Sequence, residues 1–446
     1  ILTHDTNFAM WTRSSASGVP YKVQNINVYG HVEGGTVISG GKLGSLFTVS
    51  STKYSTSSST VGVFGTLTFD RITFSDGISW NGPVMSYLIT GQSTKEASGS
   101  VIFNDSQIQD NVAFGDGGAI YLEVRANTLA AFTVQINTST LAGNLALGDG
   151  GAVYAAQAVT ISTSTLAYNT ALGNGGAIAI VEGAGDTKGS GTISNSTISF
   201  NTANEGGGIY NDNTLTMNAT ILAKNRSTEV ASSGSANYIG YDYYATSRDG
   251  VTATGSNNII EHQNGYRFAQ DSDNNKNFFA QYVSGKSSTL VTANYLYNIN
   301  YYSLNLYQTG LVADNGGWSE TIELSRQSFA KGQLAASGTD QRGYGANEGR
   351  DIGAFESGGT FASVVVSGET VYFNSLQAAI NAAGSNGTVT VSAVRIKAHD
   401  INITQNVTVK ATAEAGSARV RGNQLFIDAG FMGRVFSNAS GKTFNL

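Results

Sequence analysis

A six-residue pattern, G-x-G-G-A-[IV], constrains this chain more than any other feature. It runs Gly115-Asp116-Gly117-Gly118-Ala119-Ile120, returns as Gly148-Asp149-Gly150-Gly151-Ala152-Val153, and again as Gly173-Asn174-Gly175-Gly176-Ala177-Ile178. Glu205-Gly206-Gly207-Gly208-Ile209-Tyr210 is a degenerate copy. A second pattern, apolar at its start and ending in asparagine, precedes each cluster: Phe103 to Asn111, Ile136 to Asn144, Ile161 to Asn169 and Ile193 to Asn201. Met217 to Asn225 follows the last cluster, and Phe69 to Gly77 reads as the first member, with glycine in place of the asparagine. Asn111, Asn144, Asn169, Asn201 and Asn225 are spaced by 33, 25, 32 and 24 residues. Such a period marks a solenoid, whose repeats bury their apolar faces only against their neighbours.

The expected fold is an all-β, right-handed parallel β-helix. About 25 residues make one coil of three short strands and three turns, and the extra ~8 in alternate coils form an outward loop. Ile136, Ile161 and Ile193 should stack in one buried row, and Leu141, Leu166 and Ile198 in another. The asparagines should form a ladder at a turn, themselves tolerating the left-handed conformation while their amides bond the neighbouring coil. The paired glycines, Gly117 with Gly118, Gly150 with Gly151 and Gly175 with Gly176, mark a corner that cannot hold a side chain. All these residues are read as structural.

Composition agrees. The 446 residues exceed one ordinary core, only 13% are charged, and glycine, at 55, is well above the usual share while proline numbers 2. With 40% apolar residues the chain is not disordered. No cysteine is present, which excludes disulfides and thiolate metal sites. No apolar run is long enough to span a membrane as a helix. A net charge of -6 gives no footprint for nucleic acid. No signal peptide stands at Ile1, so the chain reads as a processed form or an excised piece.

Past Asn225 the pattern dissolves into a Ser-, Asn- and Tyr-rich stretch, 227–309, expected to carry longer coils with lateral β insertions. A first module is expected over 1–357, lacking its N-terminal cap, closed by Leu311 to Trp318, Asp340-Gln341-Arg342-Gly343 and Asp351-Ile352-Gly353-Ala354-Phe355-Glu356. A second begins over 358–446 with two strands and a capping helix, N-cap Ser375, apolar face Leu376, Ala379 and Ile380, C-cap Gly384. The end of the chain resembles its start: Ile396 to Asp400 echoes Ile1 to Asp5, and Asn406 to Val409 echoes Asn25 to Val28, a second period of ~385 residues. A tandem protein, or head-to-tail stacking of copies, would produce this.

The G-G-A-[IV] and [FILM]-x-x-N pairs resemble the repeats of chlamydial polymorphic outer-membrane proteins and related bacterial surface β-helices. The stretch from Asp314 through Asp340-Gln341-Arg342-Gly343 to Asp351–Glu356 looks like the end of a choice-of-anchor Q domain. Together these cover about residues 25–357. The resemblance implies a secreted or surface-displayed bacterial protein with structural or adhesive roles, whose partners are further copies or modules of itself, and it implies no enzyme.

Parallel β-helices also include polysaccharide lyases and hydrolases, but no Asp-Asp pair or Gly-His-Gly is present here. Arg395-Ile396-Lys397, though it matches a polygalacturonase tripeptide, lies far from any acid pair. No catalytic residue and no cofactor is expected. Asp116, Asp149 and Glu205 would stack beside the glycine corner, where calcium could bridge them, although Asp-Gly is also an ordinary turn signal. Tyr241, Tyr243 and Tyr244 are the candidates for presenting aromatic faces to a glycan or host surface.

Overall fold

The computed structural model describes residues 11–12, 22–23, 26–30, 36–42, 46–51, 63–89, 98–124, 131–183, 188–228, 242–261, 263–265, 277–281, 289–292, 306–335, 338–346, 349–393, 395–412, 425–429 and 433–446. The chain is a parallel β-helix and divides into two units, 1–305 with 352–354, and 306–351 with 355–446. The division differs from the expected 1–357 and 358–446. Residues 306–351 pack with the C-terminal segment: the Tyr344 ring lies tilted against Phe361 at 5.0 Å, and Gly345 bridges Thr360. Ile352–Ala354 instead joins the first unit, where Gly353 N–H donates to Ala219 O and Ala354 N–H to Thr197 Oγ1.

In the first unit one coil holds four strands, not three: for example Ala131–Asn137, Thr140–Ala142, Leu145–Ala146 and Val153–Ala155. Each pairs in parallel with its counterpart in the neighbouring coils, building four sheets of 8, 10, 6 and 8 strands among the described residues. The extra strand is the two-residue Leu145–Ala146 type of the third sheet, too short to leave a periodicity in the sequence. Extra residues in the longer coils lie between the fourth and first sheets, as where Glu182 bridges Lys188 across a small antiparallel loop. Phe278–Gln281 and Thr289–Thr292 form an antiparallel pair at the edge of the second sheet, a lateral insertion.

The inward rows follow the expectation and extend it. Phe69, Phe103, Ile136, Ile161, Ile193 and Met217 stack in the first sheet. Phe74, Ile108, Leu141, Leu166, Ile198 and Leu222 stack in the second. All are buried, and a fully buried side chain of this size contributes about 1.5–3 kcal/mol. The third sheet turns only small residues inward, Ala113, Ala146, Ala171 and Ala203, because its strands close a narrow corner.

The second unit is built differently. Gly387–Val391, Arg395–Lys397 and Ile401–Ile403 make a coil of three strands, over which Val407–Ala411, Phe426–Asp428 and Phe436–Asn438 pair in parallel. An antiparallel hairpin, Ala362–Val366 with Glu369–Phe373, precedes it and pairs with Gly387–Val391. Helix α1 (Leu376–Ala383) caps this core. Ser375 Oγ accepts from Ala378 N–H, Leu376, Ala379 and Ile380 are buried, and Gly384 ends the helix at φ 68°. Leu376, Ala379 and Ile380 share an apolar cluster with Val364, Val389 and Ile403.

Candidate functional site

The polar side chains of the repeat form continuous ladders. Asn111 Nδ2 donates to Asn144 Oδ1 at 2.9 Å, Asn144 to Asn169 at 2.9 Å, Asn169 to Asn201 at 2.9 Å and Asn201 to Asn225 at 2.8 Å. Each Oδ1 also accepts the backbone N–H of the asparagine one coil earlier, and each Nδ2 from Asn144 to Asn225 bonds a carbonyl such as Leu141 O. The asparagines are not themselves left-handed. The residue before each one is: Asp110, Gly143, Tyr168, Phe200 and Lys224 all have φ between 56° and 68°. That residue makes the bend and points outward, which leaves the amide free to turn inward. Ser106, Ser139, Ser164, Ser196 and Thr220 build a parallel ladder at the preceding corner, each hydroxyl donating to its own chain and accepting an N–H from the coil before.

Two glycines in each cluster have separate reasons. Gly150 sits at φ 70°, and so do Gly117 and Gly175 at 65° and 70°. Gly151 is required by space, since a Cβ there would stand 2.0 Å from Gly176 O, and the same holds at Gly118 and Gly176.

The tyrosine expectation needs correction. Tyr241 lies outside the described residues. Tyr243 faces the interior: it continues the inward row Ile120, Val153, Ile178, Ile209 of the fourth sheet, is fully buried, and accepts from Asn211 Nδ2 at 3.0 Å through its hydroxyl. It therefore presents no face to a ligand, and burial raises its pKa. Tyr244 points outward and stacks on Tyr210 at 5.7 Å. Burial and the nearby Asp212 carboxylate push the Tyr210 phenol up to about 12. The residue before Tyr243 was also missed. Asp242 ends the asparagine ladder, accepting both Asn225 N–H and Asn225 Nδ2.

The acidic column is a hydrogen-bond ladder too. Asn81 Oδ1 accepts Asp116 N–H at 2.7 Å, Asp116 Oδ1 accepts Asp149 N–H at 2.8 Å, and Asp149 Oδ1 accepts Asn174 N–H at 2.7 Å. Burial raises the Asp149 pKa against the lowering by that last bond. Glu205 takes part through its backbone, whose carbonyl accepts Gly175 N–H. The described residues hold no group of three or more His, Asp or Glu placed to bind a metal ion. The calcium expectation for Asp116, Asp149 and Glu205 thus gains no ligand set.

The second unit buries a cluster of ionisable groups. Asp340 accepts the backbone N–H groups of Arg342, Tyr344 and Glu356 and the Arg342 Nε–H. The Arg342 guanidinium lies 4.3 Å from the Tyr344 ring and 3.8 Å from that of Phe355. Asp351 accepts Gly332 N–H and Ser357 N–H, and Glu356 accepts Asp351 N–H. Burial, then the Asp351 carboxylate, push Glu356 up to about 8. Arg395 and Lys397 are ion-paired: Arg395 with Asp314 and Asp428, and Lys397 with Asp314. Burial opposes ionisation of Asp314, yet Arg395 holds its carboxyl below the usual range. These pairs tie the strand Arg395–Lys397 to Asp314 and to Asp428 of the strand paired with it.

Sequence reasoning also missed an outer face. The third sheet turns Trp80, Phe114, Leu147 and Leu172 to solvent, 43–73% exposed. Strands of two residues hide which way their side chains point. No helix among the described residues is long and apolar enough to cross a membrane. Comparison of the chain with protein-family models, curated proteins and solved structures finds no match.

Proposed function

We propose that the chain is a structural and adhesive module of a secreted bacterial cell-surface fibre, in which β-helices follow one another in tandem or stack head to tail. The observation that carries this reading is the use made of the polar residues. From Asn111 to Asn225 the ladder amides and hydroxyls bond to the next coil, so each coil serves chiefly to support its neighbours. The second unit also stacks strands in parallel, starting new coils beside a capping helix. The likeness of 396–409 to the first residues of the chain, and of the repeats to bacterial surface β-helices, supports the same reading. On it the protein is not an enzyme, binds no nucleic acid, and acts outside the cell.

Antibody labelling of intact producing cells tests the location, with electron microscopy to look for fibres in which the epitope recurs at a constant interval. Labelling only after lysis would overturn the proposal. So would release of reducing or unsaturated sugar from a polysaccharide panel by the purified chain.

A further inference from the structure

The outer face of the third sheet carries two adjoining apolar columns. Ile78, Val112 and Leu145 are in register in the first. Trp80, Phe114, Leu147 and Leu172 form the second, held in line by Phe114 N–H to Ser79 O, Leu147 N–H to Ala113 O and Leu172 N–H to Ala146 O. Trp80 is 73% exposed and Leu172 64%. From Trp80 to Leu172 is three coil steps, about 14 Å at ordinary strand spacing. One coil further the column turns polar at Asn204. Isolated surface apolar residues need no explanation, but a contiguous group marks a surface that meets something.

Charge says what that something carries. Asp76 and Asp110 stand at the corner on one side of the columns, and Asp116 and Asp149 at the corner on the other. Among the described residues of 36–181 the cations are Arg71, which is paired with Asp70, and Lys42, one coil before the columns, whose backbone N–H donates to Asp76 O. In the ladder at the Asp116 and Asp149 corner one oxygen of each side chain accepts an N–H, and Asn81 does the same with an amide.

We propose that this face binds a polypeptide segment with apolar side chains along its middle and Lys or Arg along both edges. Burial of the apolar columns supplies affinity, and the acidic borders set orientation and reject anionic surfaces. About ten residues of helix would span the patch. An anionic membrane would be repelled by the carboxylates, and a neutral glycan would gain nothing from their net charge. The proposal does not depend on whether the solenoid belongs to a fibre.

The test titrates the full chain with a fluorescently labelled 14-residue amphipathic Leu–Lys peptide, its Leu–Glu counterpart, phosphatidylglycerol vesicles and a neutral oligosaccharide. The Leu–Lys peptide should bind, more weakly as salt is raised. W80S/F114S/L147S and, separately, D110N/D116N/D149N should each weaken it by at least about tenfold. The Asn set preserves the ladder bonds, so it decides the matter even if the Ser set fails to fold. Absence of Leu–Lys binding, equal binding of the Leu–Glu peptide, or binding unchanged by the Asn set would overturn the proposal. Binding of vesicles or oligosaccharide that is lost in W80S, with no peptide binding, would overturn it in favour of those ligands.

Discussion

The two units bury polar groups in opposite ways. In the first, neutral amides and hydroxyls repeat along the coil axis, each satisfied by the coil before or after it. In the second, four ionisable groups, Asp340, Arg342, Asp351 and Glu356, are buried in one place with no repetition. A ladder is cheap to extend, because adding a coil adds one rung with its partners already present. A buried ionic cluster cannot be extended, and it suits a position where the repeat must stop. Breaking either should hurt the protein, but with different reach, different size and different pH dependence.

The largest difference concerns backbone clearance. A methyl group on Gly151 would meet the Gly176 carbonyl at 2.0 Å, and the carbonyl belongs to the coil ladder, so it cannot move alone. Gly151→Ala should cost more than about 4 kcal/mol in urea unfolding of the first unit. Gly358, in the second unit, has φ 77° and nothing within 4 Å of where a Cβ would stand. Gly358→Ala should cost only about 1–2 kcal/mol, the penalty of the left-handed conformation. Equal losses at the two sites would erase the distinction between a close-stacked and an open corner.

Next come the polar deletions. Arg342→Met removes the guanidinium that Asp340 and the Glu356 carbonyl bond, leaving the buried Asp340 carboxylate without its cation. A loss of about 3–5 kcal/mol is expected, confined to the second unit. Asn169→Ala should cost about 2–4 kcal/mol, because it takes the acceptor from the Asn144 N–H, one bond each from the Asn144 amide and the Asn201 oxygen, and the donor from Leu141 O. Amide hydrogen exchange distinguishes the two: faster exchange at Asn144 N–H is expected from the ladder variant and not from Arg342→Met.

These rungs show what a sequence reveals. Ile136, Ile161 and Ile193 were legible because repetition lines up residues whose spacing alone would say little. The helix was legible because its cap and its apolar face fall within ten residues. The third sheet was not, since Leu145–Ala146 is too short to show alternation. Nor was the role of Asp242 and Tyr243, which continue the asparagine ladder and the Ile209 row after an insertion and with different residue types. The ionic cluster was half visible. Asp340-Gln341-Arg342-Gly343 and Asp351–Glu356 stood out as motifs, but only the fold brings Glu356 against Asp351. The same limit applied to the outer apolar face, where the direction of each side chain depends on the unforeseen strand.

The units should also part company with pH. Glu356 titrates at about 8 in the folded chain against an ordinary 4.5, so the folded state holds its proton more tightly. The stability this provides is complete below about pH 4.5 and is lost as the pH rises to about 8. Asp351, also raised by burial, acts in the same direction. The rungs from Asn111 to Asn225 have no group that titrates in that window. Urea midpoints of the second unit should therefore fall from pH 5 to pH 8, and Glu356→Gln should flatten most of that slope while keeping an oxygen for Asp351 N–H. A slope unchanged in Glu356→Gln would place the proton elsewhere.

The smallest effect separates two adjacent rings. Tyr243 is inside, and its hydroxyl takes one hydrogen bond from Asn211, whose amide also donates to Thr252 O. Tyr243→Phe removes the acceptor but keeps the ring and half the amide's bonding, so about 1 kcal/mol should be lost. Tyr244 is outside, touching Tyr210 face to face at 5.7 Å, and Tyr244→Phe should leave stability within about 0.5 kcal/mol of the parent. For binding the order reverses. Any glycan or host surface held by this strand must be held by the Tyr210–Tyr244 stack, so loss of binding in Tyr243→Phe without loss in Tyr244→Ala would contradict the inward placement of Tyr243. Because the first ring belongs to the core row and the second to the surface, thermal melting and binding must respond to different members of the pair if the strand is registered on Ile209–Asn211.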